Sequence, residues 1–96
     1  MSGFVVHPQL AADTQHVASL PLCEALLMND ANYPWLILVP RVADVRELLD
    51  LGEDDRTRLW REIDVASQVL REQFAPDKLN IAALGNVVSQ LHVHVI

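Results

Sequence analysis

Apolar and polar positions recur along this chain with two different periods, and the periods divide it into elements. Gln15 to Leu20 is a short segment closed by Pro21. Leu22 to Met28 is apolar apart from Glu24, and Trp35 to Val39 is a continuous apolar run closed by Pro40. Runs of this length, bounded by proline and turn residues, predict strands. Asn29-Asp30-Ala31-Asn32-Tyr33-Pro34 is turn chemistry, because Asn and Asp tolerate tight turns and Pro fixes φ. The strands at 22–28 and 35–39 are therefore expected to form an antiparallel hairpin.

A helical period follows. Leu59, Ile63, Ala66 and Leu70 lie on one face of an α-helix, while Arg56, Arg58, Arg61, Glu62 and Arg71 fall largely off it. Gly52 serves as its N-cap, and Glu53, Asp54 and Asp55 put negative charge on the first turn, where the helix dipole favours it. Pro76 ends the helix and pushes Ala75 out of the α region. Helical turns are also expected at Gln9 to Asp13 and at Val45 to Leu49. Leu79 to Leu84 reads as a strand, Gly85-Asn86 as a tight link and Val87 to Ile96 as the last strand. The order β-β-β-α-β-β with short links predicts an α+β fold: a mainly antiparallel five-stranded sheet with one long helix on a face and a short helix.

Composition adds limits. With 96 residues the chain is read as a single domain over 1–96, and 51% of those residues are apolar. Either a Leu/Val-rich core or a protomer interface accounts for that excess. The net charge is −6 and the seven Lys and Arg are scattered, so no clustered cation face serves a nucleic acid. An acidic chain still holds one nucleotide, because a phosphate site needs local amides and few side chains. Cys23 is the only cysteine, so an internal disulfide is impossible and a reducing compartment fits. Residues 1–10 carry no charged n-region with an apolar run, and no stretch approaches the ~20 apolar residues of a membrane span. A soluble cytoplasmic protein is the expectation. Ile96 still lies within an alternating run, so a C-terminal tail is expected beyond it.

The last run carries the chemistry. Gln90, His92 and His94 share one face of the expected strand, and Leu91, Val93 and Val95 share the other. The apolar face packs on a core. The polar face is either a solvated stripe or a site. Neutral imidazoles spaced two apart suit two chemistries, attack on phosphorus and metal ligation.

Gln90-Leu91-His92-Val93-His94-Val95-Ile96 resembles the signature of the histidine triad (HIT) superfamily, three His alternating with apolar residues. Gly85-Asn86-Val87-Val88-Ser89 is similar to the family's lead-in, and Leu26 to Asp30 with Leu36 to Pro40 is similar to its hairpin. The resemblance runs from about Leu22 to Ile96 and points to bacterial members of the diadenosine polyphosphate hydrolase type. It implies a HIT-like fold and a hydrolase or transferase. Such an enzyme attacks the α-phosphate of a nucleoside phosphoramidate or dinucleoside polyphosphate through a nucleotidyl-histidine intermediate. His92 matches the nucleophile. His94 matches the last triad His, which binds phosphate oxygens and protonates the leaving group. Gln90 takes the place of the first triad His within the catalytic set. Asp30 matches the acidic residue that holds the ribose hydroxyls, although a turn-forming Asp reads the same way. Gly85 lets backbone approach the phosphate, and Asn86 stands where a Gln supports the leaving group. Trp35 stands where many members have a His. The resemblance further implies no cofactor, no bound metal and a homodimer.

Two rivals remain. One is a nucleotide-binding module with little catalysis, its site altered at Gln90 and Asn86. The other is a metal site on His92 and His94, which needs a third ligand that neither Cys23 nor Asp30 supplies at a recognisable spacing. His7 and His16 are expected at the surface.

Overall fold

In the computed structural model, which describes residues 4–85 and 87–96, Pro21 and the 29–35 loop fold the first half of the chain into a three-stranded meander. Its strands are β1 (Thr14–Ser19), β2 (Cys23–Met28) and β3 (Leu36–Pro40). The β1–β2 turn closes with the Leu20 N–H donating to the Cys23 carbonyl at 2.8 Å. The β2–β3 hairpin begins with the Met28 N–H on the Trp35 carbonyl at 2.9 Å. Two further strands, β4 (Ile81–Ala83) and β5 (Val93–Val95), complete a five-stranded sheet in the order β1-β2-β3-β5-β4, antiparallel at every pairing. The expected α+β architecture is the observed one.

The long helix, α2 (Glu53–Phe74), starts at Gly52 with three acidic residues in its first turn. It ends at Ala75, which adopts a left-handed conformation (φ 45°) and returns its N–H to the Arg71 carbonyl. Pro76 explains why the helix stops here, whereas the extended backbone a proline favours before it is not the left-handed one Ala75 adopts to close the helix end. Leu59, Ile63, Ala66 and Leu70, the face expected from sequence, are all buried. They pack with Ala25, Leu38, Leu91, Val93 and Val95 on one side of the sheet. Each large side chain so buried contributes about 2 kcal/mol.

The other side of the sheet is covered differently. Ile37 and Val39 of β3 and Leu26 of β2 meet Leu10 and Val88 in a smaller cluster, flanked by Phe4, Val6, Met28 and Trp35. Leu10 belongs to α1 (Pro8–Asp13), a short helix in which the His7 ring caps the start by accepting the Gln9 N–H at 3.0 Å. A single thin layer, the N-terminal segment with α1, therefore lies on the face opposite α2.

The final strand is shorter than the 87–96 run expected. The β3–β5 ladder stops at the Leu38–Val93 pair; carried on, its register would bring Leu91 to Pro40, which has no N–H to give the ladder. The Leu91 N–H instead donates to the Val45 carbonyl at 2.9 Å, and Val88 turns into the smaller cluster. The 79–84 strand is likewise trimmed to β4, although Asn80 and Ile96 exchange both backbone hydrogen bonds just beyond the strand ends, at 2.7 and 3.0 Å. The turn expected at 45–49 is a single 3-10 turn, Leu48–Asp50.

Glu62 is a charged residue buried on the α2 side. It is 5% exposed, and its two carboxylate oxygens accept the N–H groups of Leu22 and Cys23, each at 2.8 Å. The carboxylate ties α2 to the start of β2. Burial first, and the Glu62 charge second, push the neighbouring Cys23 thiol far up, so it is an inert core residue. Glu62→Ala leaves two buried N–H groups without an acceptor. A loss of about 3 kcal/mol in urea unfolding is expected, with a smaller loss for Glu62→Gln, which keeps one acceptor.

Candidate active site

Because Leu91, Val93 and Val95 are committed to the α2 side, His92 and His94 are turned to the α1 side. His94 sits in β5 beside Ile37 of β3 and Ala82 of β4. His92 is 5% exposed, and its ring meets that of His94 edge-on, with centroids 4.9 Å apart and planes at 71°.

Each imidazole has one fixed partner. His92 Nδ1 lies 2.7 Å from the backbone carbonyl of Gln90. A carbonyl only accepts, so Nδ1 carries the proton, and in the neutral ring Nε2 keeps its lone pair. His94 Nδ1 accepts the indole N–H of Trp35 at 3.0 Å, with the two rings 5.6 Å apart. Burial, then the proximity of His92, holds His94 below the ordinary histidine range.

Gln90 works at two levels. Its carbonyl orients His92, while its side-chain amide is turned to the N-terminal segment. Nε2 donates to the Val5 carbonyl and Oε1 accepts the His7 N–H, both at 2.8 Å. The amide thus fastens residues 5–7, and with them α1, over the histidines.

Both histidines line a cavity of about 390 Å³. Leu10, Met28, Trp35 and Val88 give it apolar walls, and Gln9 and Asp13 of α1 add polar ones. Gln9 Nε2 donates to Asp13 Oδ2 at 2.8 Å. No Lys or Arg is among the lining residues described. Nor, among the described residues, do three or more His, Cys, Asp and Glu side chains stand together as a metal ligand set.

The remaining residues singled out from sequence lie elsewhere. Asp30 caps its own turn, Oδ1 accepting the Asn32 and Tyr33 N–H groups at 2.7 and 3.2 Å, and it lines a separate recess with Tyr33 and Phe74. Gly85 lines a third cavity with Arg46 and Leu91, and a Cβ there would meet only the Val88 carbonyl oxygen, at 4.0 Å. Asn86 lies outside the described residues. His16 is exposed and pairs with Glu24 at 2.9 Å, whereas His7 is the half-buried cap of α1. Sequence reasoning missed Asp13 and Gln9. Their only signal was the helical turn expected at 9–13, whose docking over the histidines depends on contacts far away in the chain.

A strand presenting two oriented imidazoles to an apolar cavity defines a class of protein, and comparison with known proteins gives the family. The HIT domain pattern matches residues 9–96. The chain belongs to the HIT family, whose members typically bind nucleotides and hydrolyse or transfer nucleotidyl groups. Its fold superimposes on a histidine triad protein from Bradyrhizobium japonicum with a TM-score of 0.95 and 50% identity, over 97% of this chain and 69% of that one. A histidine triad protein from Sinorhizobium meliloti 1021 gives a TM-score of 0.95 and 42% identity, over 99% of this chain and 70% of that one. One from Marinobacter aquaeolei VT8 gives 0.94 and 48%, over 97% and 68%. A comparison with curated proteins gave no match.

The depressed basicity of His94 has a consequence for stability. The unfolded histidine takes up its proton as pH falls through about 6.5, while the folded one resists. This contribution to stability is complete above that pH and is lost as pH drops toward the folded-state value. The urea midpoint should therefore fall between pH 7.5 and 5.5, and fall less in His94→Gln.

Proposed function

We propose that the chain is a nucleotide hydrolase or transferase in which His92 Nε2 attacks the α-phosphorus of a nucleoside phosphoramidate. The observation that carries this reading is the bond from His92 Nδ1 to the Gln90 carbonyl, which in the neutral ring leaves the lone pair on Nε2 of a residue that lines the cavity. The Nε2 lone pair forms a P–N bond as the bond to the leaving nitrogen breaks. The leaving nitrogen keeps that electron pair and takes a proton to depart as an amine. Water then adds to phosphorus, the P–Nε2 pair returns to the imidazole, and the water proton passes to solvent with release of a nucleoside monophosphate. Splitting one displacement into two lowers each barrier. His94 binds the phosphate oxygens, and the apolar walls suit a base or ribose face.

Charge favours the phosphoramidate over a dinucleoside polyphosphate. The described lining has no cation and holds Asp13, so a polyphosphate chain would bring several negative charges into an uncompensated cavity. In this reading Gln90 serves the catalytic set through its carbonyl. Asp30, Gly85 and Asn86 are retained as substrate-binding residues only if a bound nucleotide extends beyond the cavity. A second reading, a binding module with little turnover, is favoured by the engagement of the Gln90 amide with backbone, which leaves no side chain from that position for the substrate.

The test is release of AMP from adenosine phosphoramidate, followed by chromatography with a chelator present. Wild type should turn over, and His92→Ala should lose at least about a thousandfold. Thermal stabilisation by AMP without turnover would replace the enzyme with the binding module.

The assembly is proposed to be a homodimer. Trp60, Val65 and Val69 leave apolar surface on the outside of α2, and the edge strand β4 exposes Ile81. Sedimentation should give twice the protomer mass for wild type and the protomer mass for Trp60→Asp. A wild-type chain at the protomer mass would overturn the proposal.

A further inference from the structure

We infer that Trp35 is a positioning residue that fixes the proton of His94 on Nε2, making His94 a neutral hydrogen-bond donor and the tautomeric opposite of His92. An indole N–H donates and never accepts. The 3.0 Å bond from Trp35 Nε1 therefore requires a lone pair on His94 Nδ1 and leaves the single proton of the neutral ring on Nε2. His92 has the reverse arrangement, with Nδ1–H on the Gln90 carbonyl and a lone pair at Nε2. Two rings 4.9 Å apart are thus set in opposite tautomers by one donor-only and one acceptor-only partner.

The indole also opposes a second proton. Protonation of His94 is possible only at Nδ1, and it would set an N–H against the Trp35 N–H. The surroundings act in the same direction. His94 is half-buried, and the titratable groups facing it are His92 of β5 and, across the cavity, Asp13 of α1. Its strand neighbours present Ile37 and Ala82. A histidine partner at position 35 could donate or accept and could itself titrate. Tryptophan removes both freedoms.

For the reaction proposed above, on which this consequence rests, His94 supports anionic phosphate oxygens through Nε2–H but does not protonate the leaving group. A neutral imidazole N–H is far too weak an acid to give up its proton near neutrality. The leaving nitrogen takes its proton from solvent instead.

The tautomer is read directly in wild-type chain by nitrogen-15 NMR of the histidine rings between pH 5.5 and 8. The expected spectrum shows His94 with a protonated Nε2 and an unprotonated Nδ1 near pH 7. A His94 ring protonated at Nδ1 near pH 7, alone or together with Nε2, would overturn the inference. Trp35→Phe keeps a ring but removes the donor. There His94 should become a tautomer mixture and titrate at higher pH than in wild type, and an unchanged tautomer and midpoint would overturn the role of Trp35. Neither readout uses turnover. A chain with the expected tautomer but no AMP release sinks the enzymatic reading alone. A chain that releases AMP with Nδ1 of His94 protonated sinks this inference alone.

Discussion

Leu91, Val93 and Val95 are held against α2 in the larger core cluster, and most of the molecule's chemistry follows from that burial. A β-strand sends successive side chains to opposite faces. Fixing three apolar residues on the helix side thus delivers His92 and His94 to the other side, with little rotational freedom left in either backbone position. A slip of one residue would place both histidines in the core and three aliphatic side chains in the cavity. The register is therefore specified by the hydrophobic effect rather than by any interaction the histidines make. The Glu62 carboxylate does parallel work on the helix, tying it to the first residues of β2.

The two faces of the sheet differ accordingly. The α2 side is thick and contains most of the buried side chains, whereas the α1 side is a thin layer whose smaller cluster borders the cavity. Stability and site formation are in this way assigned to separate surfaces. Oriented partners, a carbonyl for one ring and an indole for the other, give two chemically identical side chains different behaviour without any added charge. This suits a chain with a net charge of −6 and no cation in the described lining of its cavity.

Much of this was legible in the sequence, and the limits have a physical cause. The hairpin and α2 were readable because turn residues, proline and a helical period are local signals. The division of the last run into two faces was readable for the same reason. Its length was not, because the ladder stops at Val93 and the Leu91 N–H goes to Val45, a residue far off in the chain. The carbonyl partner of His92 lies two residues away. The partners of Gln90 and His94 lie 83, 85 and 59 residues distant, and no local pattern announces them. Trp35 read only as a departure from a family pattern until its N–H was seen on His94. Asp30 matched a motif, yet its oxygen is spent on its own turn.

Gln90 joins residues near the two ends of the described chain, and that has a bearing on how the site forms. Its amide closes loops of 83 and 85 residues, among the longest the chain permits, while its carbonyl holds the His92 ring. Loop closure of this span costs entropy that only a nearly complete fold offsets. The helix and the β2–β3 hairpin can form early from local contacts, but the wall over the histidines docks only after the last strand has found its place. Partly folded forms of the chain would carry both imidazoles without the cavity that they line. Such forms, and a newly made chain before its final strand is in place, would lack the wall that Gln90 fastens over the histidines.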